Sequence, residues 1–339
     1  MAKATKKKKT AKKKAKRGAS RKRLTPRKEK RGPSGADVAL GVDDPALAEL
    51  SQHVRDVGGT PVGAYREPFS GSPLLLAVLP FKAVEPTPFQ RDLSPTHTKR
   101  LAQKIEEAGV FLDPLIVVQA PDGRLWTPNG RHRHAAAKVL GLRAVTALIS
   151  PNEDLAFKIL ALNTEKAHNL KDRSLEVIRM ARELAERKPR SKEKDYAVEL
   201  DEPALLTLGI IYEEQGRFAG SPYFSFLRKV DRFATATLMK SLQQREGWAA
   251  RLREIDERVK GVVAELKERG FRSPYLRNLV VARINPVRFH RTKKGETVPP
   301  MAVGAALTRM AASARKFNVS TVREQDLALV AAVSSGEGD

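Results

Sequence analysis

The chain has 339 residues, 30% of them charged, with 63 Lys and Arg against 39 Asp and Glu for a formal net charge of +24. That length holds two or three domains and a sizeable core. It contains no cysteine, which excludes disulfides, thiolate zinc sites and cysteine nucleophiles and fits a reducing cytoplasm. No run of about 18 apolar residues marks a membrane span, and the N-terminal charges have no apolar segment behind them, so they do not read as a secretory signal.

The charge is unevenly spread. Residues 1–32 contain 17 Lys or Arg and one acid, Glu29, which leaves only about +8 for the remaining 307 residues. Residues 1–36 are low-complexity, and self-repulsion with few apolar side chains predicts a disordered tail. Lys6, Lys7, Lys8, Lys9, Lys12, Lys13 and Lys14 suit a non-specific polyanion tether through counterion release; a solvated tail that only aids solubility is the plainer alternative.

Residues 37–73 read as a connector with a short helix at Pro45–Val57, after which Gly58, Gly59, Pro61, Gly63, Pro68, Gly71 and Pro73 interrupt regular structure. From Leu74 the texture changes. Leu74–Leu79 reads as a strand stopped by Pro80, and Pro86, Pro88, Gln90 and Arg91 as an extended loop. Ser94 caps a helix with Pro95 at its first position, running to about Ala108 and ended by Gly109. Strands follow at Pro114–Val118, Leu125–Thr127 and Ala144–Ile149, with a turn at Pro121–Gly123 and a short helix ending at Gly141. Residues 152–187 read as two helices broken around Asn163–Asn169, the second being Ser174–Arg187. Residues 188–201, charged and Pro-containing, read as a linker. Helices are expected at 202–215, 222–240 and 245–269, then at Met301–Lys316 and Glu324–Val333, with a basic, mixed stretch at 272–292. The fold class is therefore α+β: a small α/β domain over 74–187, then an all-helical region over 202–333.

The segment Thr127–Gly141 concentrates the chemistry. Asn129-Gly130-Arg131-His132-Arg133 is a glycine turn feeding a helix start, where backbone N–H groups favour anions. Arg131 and Arg133 can add forked contacts to phosphate. A helix-start arginine is also commonly just solvated. His132 fits either a phosphate donor or a packed histidine that orients the turn, and His134 fits surface or packing better than ligand binding. A metal reading of these two histidines lacks a third ligand in sequence. No Walker A loop, dinucleotide glycine fingerprint or zinc spacing occurs.

Four features in order resemble the ParB N-terminal/sulfiredoxin-like superfamily, over roughly 100 of the 339 residues. Leu79-Pro80-Phe81 through Pro86, Pro88, Gln90 and Arg91 is similar to its opening strand and Asn-Pro-x-Gln-Pro-Arg loop. Leu101-Ala102, Ile105, Gly109 and Pro114–Val117 are similar to its next helix and strand. Asn129–Ala136 occupies the phosphate box, and Leu160–Asn163, Asn169-Leu170 and Glu176 resemble its closing region. The resemblance implies nucleotide binding by Asn129, Gly130, Arg131, His132, Arg133, Gln90, Arg91 and Asn163, with CTP or ATP and Mg²⁺ as the ligand. Leu162 stands where the family has a metal-holding acid, so Asn163, with Glu165 or Glu85 as a substitute acid, is what remains for a cation. Arg131 replaces the sulfiredoxin cysteine, which removes thiol reductase chemistry.

The resemblance also implies a DNA-associated protein of chromosome or plasmid partition, cytoplasmic and on the nucleoid, in which any hydrolysis acts as a conformational switch. Residues 202–240 suggest a helix-turn-helix with Tyr223, Arg228, Lys229 and Arg232 as DNA contacts, although its turn is longer than usual. Helical packing or a homodimer through the C-terminal helices is the alternative. The basic stretch Asn278–Arg291 with Lys293 and Lys294 extends a positive face. A phosphotransferase or nuclease on the same fold, and a catalytically silent adaptor, are the competing functional readings.

Overall fold

The computed structural model describes residues 30–90, 92–120, 122–162, 169–290 and 298–326. The tail lysines Lys6 to Lys14, and Arg91, Asn163 and Glu165, lie outside the described residues, as does most of the helix expected at Glu324–Val333.

In chain order the first part runs β1 (Ala39–Leu40), α1 (Ala48–Asp56), β2 (Thr60–Arg66), β3 (Pro73–Pro80), β4 (Val84–Pro86), α2 (Pro95–Ala108), β5 (Leu115–Gln119), β6 (Leu125–Asn129), α3 (Arg131–Val139) and β7 (Ala144–Ser150). The second part is helical: α4 (Leu155–Leu162), α5 (Leu170–Arg187), α6 (Pro203–Glu214), α7 (Ser221–Val230), α8 (Leu238–Glu268), α9 (Leu276–Ile284) and α10 (Val303–Arg315). The architecture is α+β, as expected.

The strands form one mixed sheet in the order β1-β2-β3-β7-β5-β6-β4. β3 and β7 pair antiparallel, β7 and β5 parallel, and β5 and β6 antiparallel. Alternation builds the core. Leu75, Ala77 and Leu79 of β3, Val145, Ala147 and Ile149 of β7, and Leu115 and Val117 of β5 are all buried. They pack with Leu47, Leu50 and Val54 around α1 and with Ala137 of α3. Val118, Trp126 and Phe89 belong instead to the cluster formed by Phe157 and Leu160 of α4 and the buried faces of α5 to α10. One continuous apolar cluster thus joins the sheet to the helices. Each fully buried Leu contributes about 1.5–3 kcal/mol relative to an exposed one.

Ser94 caps α2 through its Oγ, which accepts the His97 N–H, and Gly109 ends it in a left-handed conformation at φ 67°. Both ends agree with the sequence reading.

Four expectations are corrected. The connector contains a strand: β2 pairs antiparallel with β3, and Pro61 is tolerated because the register shifts between Pro61 and Gly63. The helix expected from Ser174 begins at Leu170, because the Asn169 side chain accepts the Asp172 N–H at 2.9 Å and caps it. The stretch 188–201 is not an open linker, since Glu193 and Leu200 within it are fully buried. The single helix expected over 222–240 breaks after Val230, and α8 begins at Leu238 and runs on through the predicted 245–269 helix. Asp231, in the gap between them, is turned inward to Arg245 at 2.7 Å.

α6 is the centre of the helical part. Nine consecutive residues, Ala204 to Tyr212, are buried, as a helix apolar on every side requires.

Candidate phosphate site

β6 carries the chain to Asn129, and Gly130 opens α3 at φ 149° with no side-chain cap. A Cβ at Gly130 would sit 2.8 Å from Leu115 Cδ2 and 3.1 Å from Thr127 Oγ1. Conformation and space both require glycine here. The first helical hydrogen bond follows at once, His134 N–H to Gly130 O at 2.7 Å.

The structure brings Gln90 to this turn. Its buried amide donates to Pro128 O, and its carbonyl accepts Arg131 Nη1 at 3.2 Å and Arg179 Nη1 at 3.2 Å. Arg179, on α5, also meets Asp92 at 3.3 Å. Sequence reasoning missed Arg179, because nothing local links it to a loop 89 residues away. Two guanidinium groups therefore converge on one backbone carbonyl beside the start of α3.

His132 is packed in the way one of its two readings required. Its Nε2 accepts the Ser94 N–H at 3.3 Å, and its ring meets His97 edge-on at 4.7 Å. It ties α3 to the start of α2. Arg133 donates from Nη1 to Pro114 O at 3.0 Å, which anchors the strand entry on the other side of the turn. Asn129 ends β6 opposite Ile116.

His134 is a packing residue. Its ring stacks on Phe81 at 4.3 Å and 11°, and burial pushes its pKa below the ordinary 6.5, opposed by hydrogen bonds with the Phe81 and Val84 backbone. The unfolded chain then binds a proton that the folded one resists, so this residue contributes stability above about pH 6.5 that is lost as the pH falls. The melting temperature is expected to fall on acidification below that value, and less steeply in His134→Phe. Equal slopes in the two proteins would refute the assignment.

Among the described residues, no three His, Asp or Glu side chains group to hold a metal ion. Glu85, the candidate substitute acid, faces Arg124 at 3.5 Å. Asn163 and Glu165, the other candidates for a cation, lie outside the described residues.

The helix-turn-helix candidates are engaged within the chain. Arg228 pairs with Glu202 at 2.8 Å, Lys229 donates to Arg288 O at 3.1 Å and Val287 O at 3.4 Å, and Arg232 donates to Asp231 O at 2.6 Å. Tyr223 is corrected: it is fully buried and its hydroxyl donates to Asp256 at 2.8 Å, so it is a core residue and not a DNA contact.

No protein-family model and no curated protein matches the chain. Solved structures do. A sulfiredoxin from Arabidopsis thaliana is 22% identical, with 25% of this chain and 94% of that one covered at a TM-score of 0.22. The C-terminally truncated chromosome-partitioning protein ParB from Caulobacter crescentus, complexed with CTP-γ-S, is 21% identical, with 44% and 91% covered at 0.24. The same protein complexed to the centromeric parS site is 16% identical, with 51% and 98% covered at 0.28. Over part of its length the chain is similar to sulfiredoxin and ParB structures, at a distance where likeness assigns no activity.

Proposed function

We propose that the α/β unit binds the phosphates of a nucleoside triphosphate, CTP or ATP, at the start of α3, and that the chain is a DNA-associated protein of the nucleoid. The observation that carries the reading is the uncapped first turn of α3 behind Gly130, flanked by Arg131 and Arg179 on the Gln90 carbonyl. A helix N-terminus orients N–H groups and a partial positive charge toward an anion, and Arg131 and the Asp92-paired Arg179 set two guanidinium groups beside it. The glycine leaves room where any Cβ would intrude on Leu115 and Thr127. The order of motifs from Leu79 to Glu176 and the Lys-rich tail support a ParB-like protein that organises or partitions DNA. In this reading a homodimer would form through the C-terminal helices.

A thermal-stability screen with CTP, ATP, GTP and inorganic phosphate, each with Mg²⁺, tests the site. A ligand at a hundred times its Kd should stabilise the protein by about 2.7 kcal/mol. Arg131→Ala, which removes a charge-assisted contact worth about 1.5–3 kcal/mol, should weaken binding roughly 10- to 100-fold. No stabilisation by any of the four, or the same stabilisation in Arg131→Ala, would sink the proposal.

A further inference from the structure

Beyond the tail, positive charge is concentrated late in the sequence: residues 271–326 contain eleven Lys or Arg against three Asp or Glu, an excess equal to that of the whole chain beyond residue 32. Among the described residues of this stretch, 271–290 and 298–326, the count is eight against two. A groove of about 570 Å³ lies within this segment, between the end of α9 and one face of α10. Arg283, Arg309 and Lys316 line it together with the polar side chains of Ser313, Asn318 and Thr321, and no carboxylate is among its lining residues.

The groove follows from helix geometry. Arg309 and Ser313, four residues apart, share one face of α10, and Lys316 follows at its C-cap. Leu307, Met310 and Ala314 are buried against the core. Arg309 and Lys316 are exposed, and lysine and arginine stems on such a face can swing to a ligand. Arg283 is held in place by Asp326 at 2.6 Å and by Thr321 Oγ1 at 3.1 Å, so one cation of the groove is positioned and two are adjustable.

We infer that this groove is a DNA-backbone site, taking phosphodiester groups through Arg309 and Lys316, with Arg283 on the same groove wall. The inference rests on the reading that DNA is the partner, and it locates that contact away from α3 and from Arg228 and Lys229 of α7 and Arg232 beyond its end, which make contacts within the chain. Arg309 and Lys316, beside the hydroxyls of Ser313 and Thr321 and the amide of Asn318, suit phosphate oxygens, while Asp326 holds Arg283 to the groove wall. No stacking or base-edge group is needed, so binding here is independent of sequence.

The test uses the full chain and a fluorescein-labelled random-sequence duplex, with affinity measured by anisotropy across a salt titration. Arg309→Ala/Lys316→Ala is compared with Lys99→Ala/Lys240→Ala, which removes two exposed charges outside the groove, and all proteins are checked for unchanged melting temperature. The groove variant should lose about two units of the slope of log K against log salt, and on the order of tenfold in affinity, while the control pair keeps both. Equal slopes in the two variants, with the wild-type chain still binding the duplex, would overturn the groove assignment alone. A wild-type chain that binds no duplex would overturn the DNA reading and the groove with it. Loss of affinity for a poly-glutamate peptide, with duplex binding intact, would assign the groove to an acidic protein and overturn the inference.

Discussion

Replacing Arg245 by alanine is expected to destabilise the protein by about 3–5 kcal/mol, a large fraction of the roughly 5–15 kcal/mol that holds a domain folded. Arg245 is 1% exposed and both of its carboxylate partners are fully buried. Its Nε and Nη2 donate to Glu193 at 2.9 and 2.8 Å, and Nη1 and Nη2 donate to Asp231 at 2.7 and 3.2 Å. Nη1 also reaches Thr207 Oγ1 at 3.0 Å and Pro203 O at 3.1 Å. Burial alone would lower the pKa of this guanidinium, but Asp231 and Glu193 outweigh it and push it up, so the charge is retained.

Alanine at this position would leave two carboxylates in the interior with no cation between them. Lysine should rescue little, because one ammonium cannot match two forked carboxylate contacts. Urea unfolding measures the loss. Because protonation neutralises an orphaned buried carboxylate, the loss should shrink as the pH is lowered. A midpoint unchanged at neutral pH would show that the network adds nothing to stability.

Gly209→Ala is expected to destabilise by about 1–3 kcal/mol or more through overpacking, even though alanine favours a helix by about 1 kcal/mol over glycine. At Gly209, in the middle of α6, an added Cβ would lie 2.4 Å from Ser174 O and 2.7 Å from Ile178. Both belong to α5, and a backbone carbonyl cannot rotate away as a flexible side chain can. The two helices would have to separate. α5 carries Arg179, so the displacement should reach Gln90 and the α3 turn as well. The variant is expected to melt lower and, on the proposed function, to bind nucleotide more weakly. Retained affinity in a destabilised protein would show that α5 does not position the site. A melting temperature equal to wild type would show that the α5–α6 contact yields without cost.

Much of the α/β unit was legible from local signals. The Ser94-Pro95 start and Gly109 stop of α2 act within a single turn of helix, and the short apolar runs of β3, β5 and β7, bounded by proline and turn residues, mark buried strands. The glycine turn before α3 was legible from Gly130 itself, whereas the close approach of Leu115 from β5 that also excludes a Cβ there was not. β2 was not, because Pro and Gly in Thr60–Arg66 argue against a strand that only the edge of β3 makes favourable. The break at Asp231 was not either. A sequence window sees helical spacing on both sides of it and not the buried cation that draws the carboxylate in.

The roles of the charged residues divide along the same line. Sequence alone determined that the tail is the most basic part of the chain, that cysteine chemistry is absent, and that Asn129–Arg133 forms a glycine turn into a helix. Tertiary structure alone decided which cations remain available at the surface. It buried Arg245 against Glu193 and Asp231, which lie 52 and 14 residues away in sequence. It placed Arg133 on Pro114 O, Lys229 on Arg288 O and Arg179 beside the Gln90 loop, and it left Arg309 and Lys316 facing an open groove. Caps, turns and periodicity are settled by neighbours a few residues apart, whereas the fate of a charge depends on its desolvation and its partners, which only the packed chain supplies.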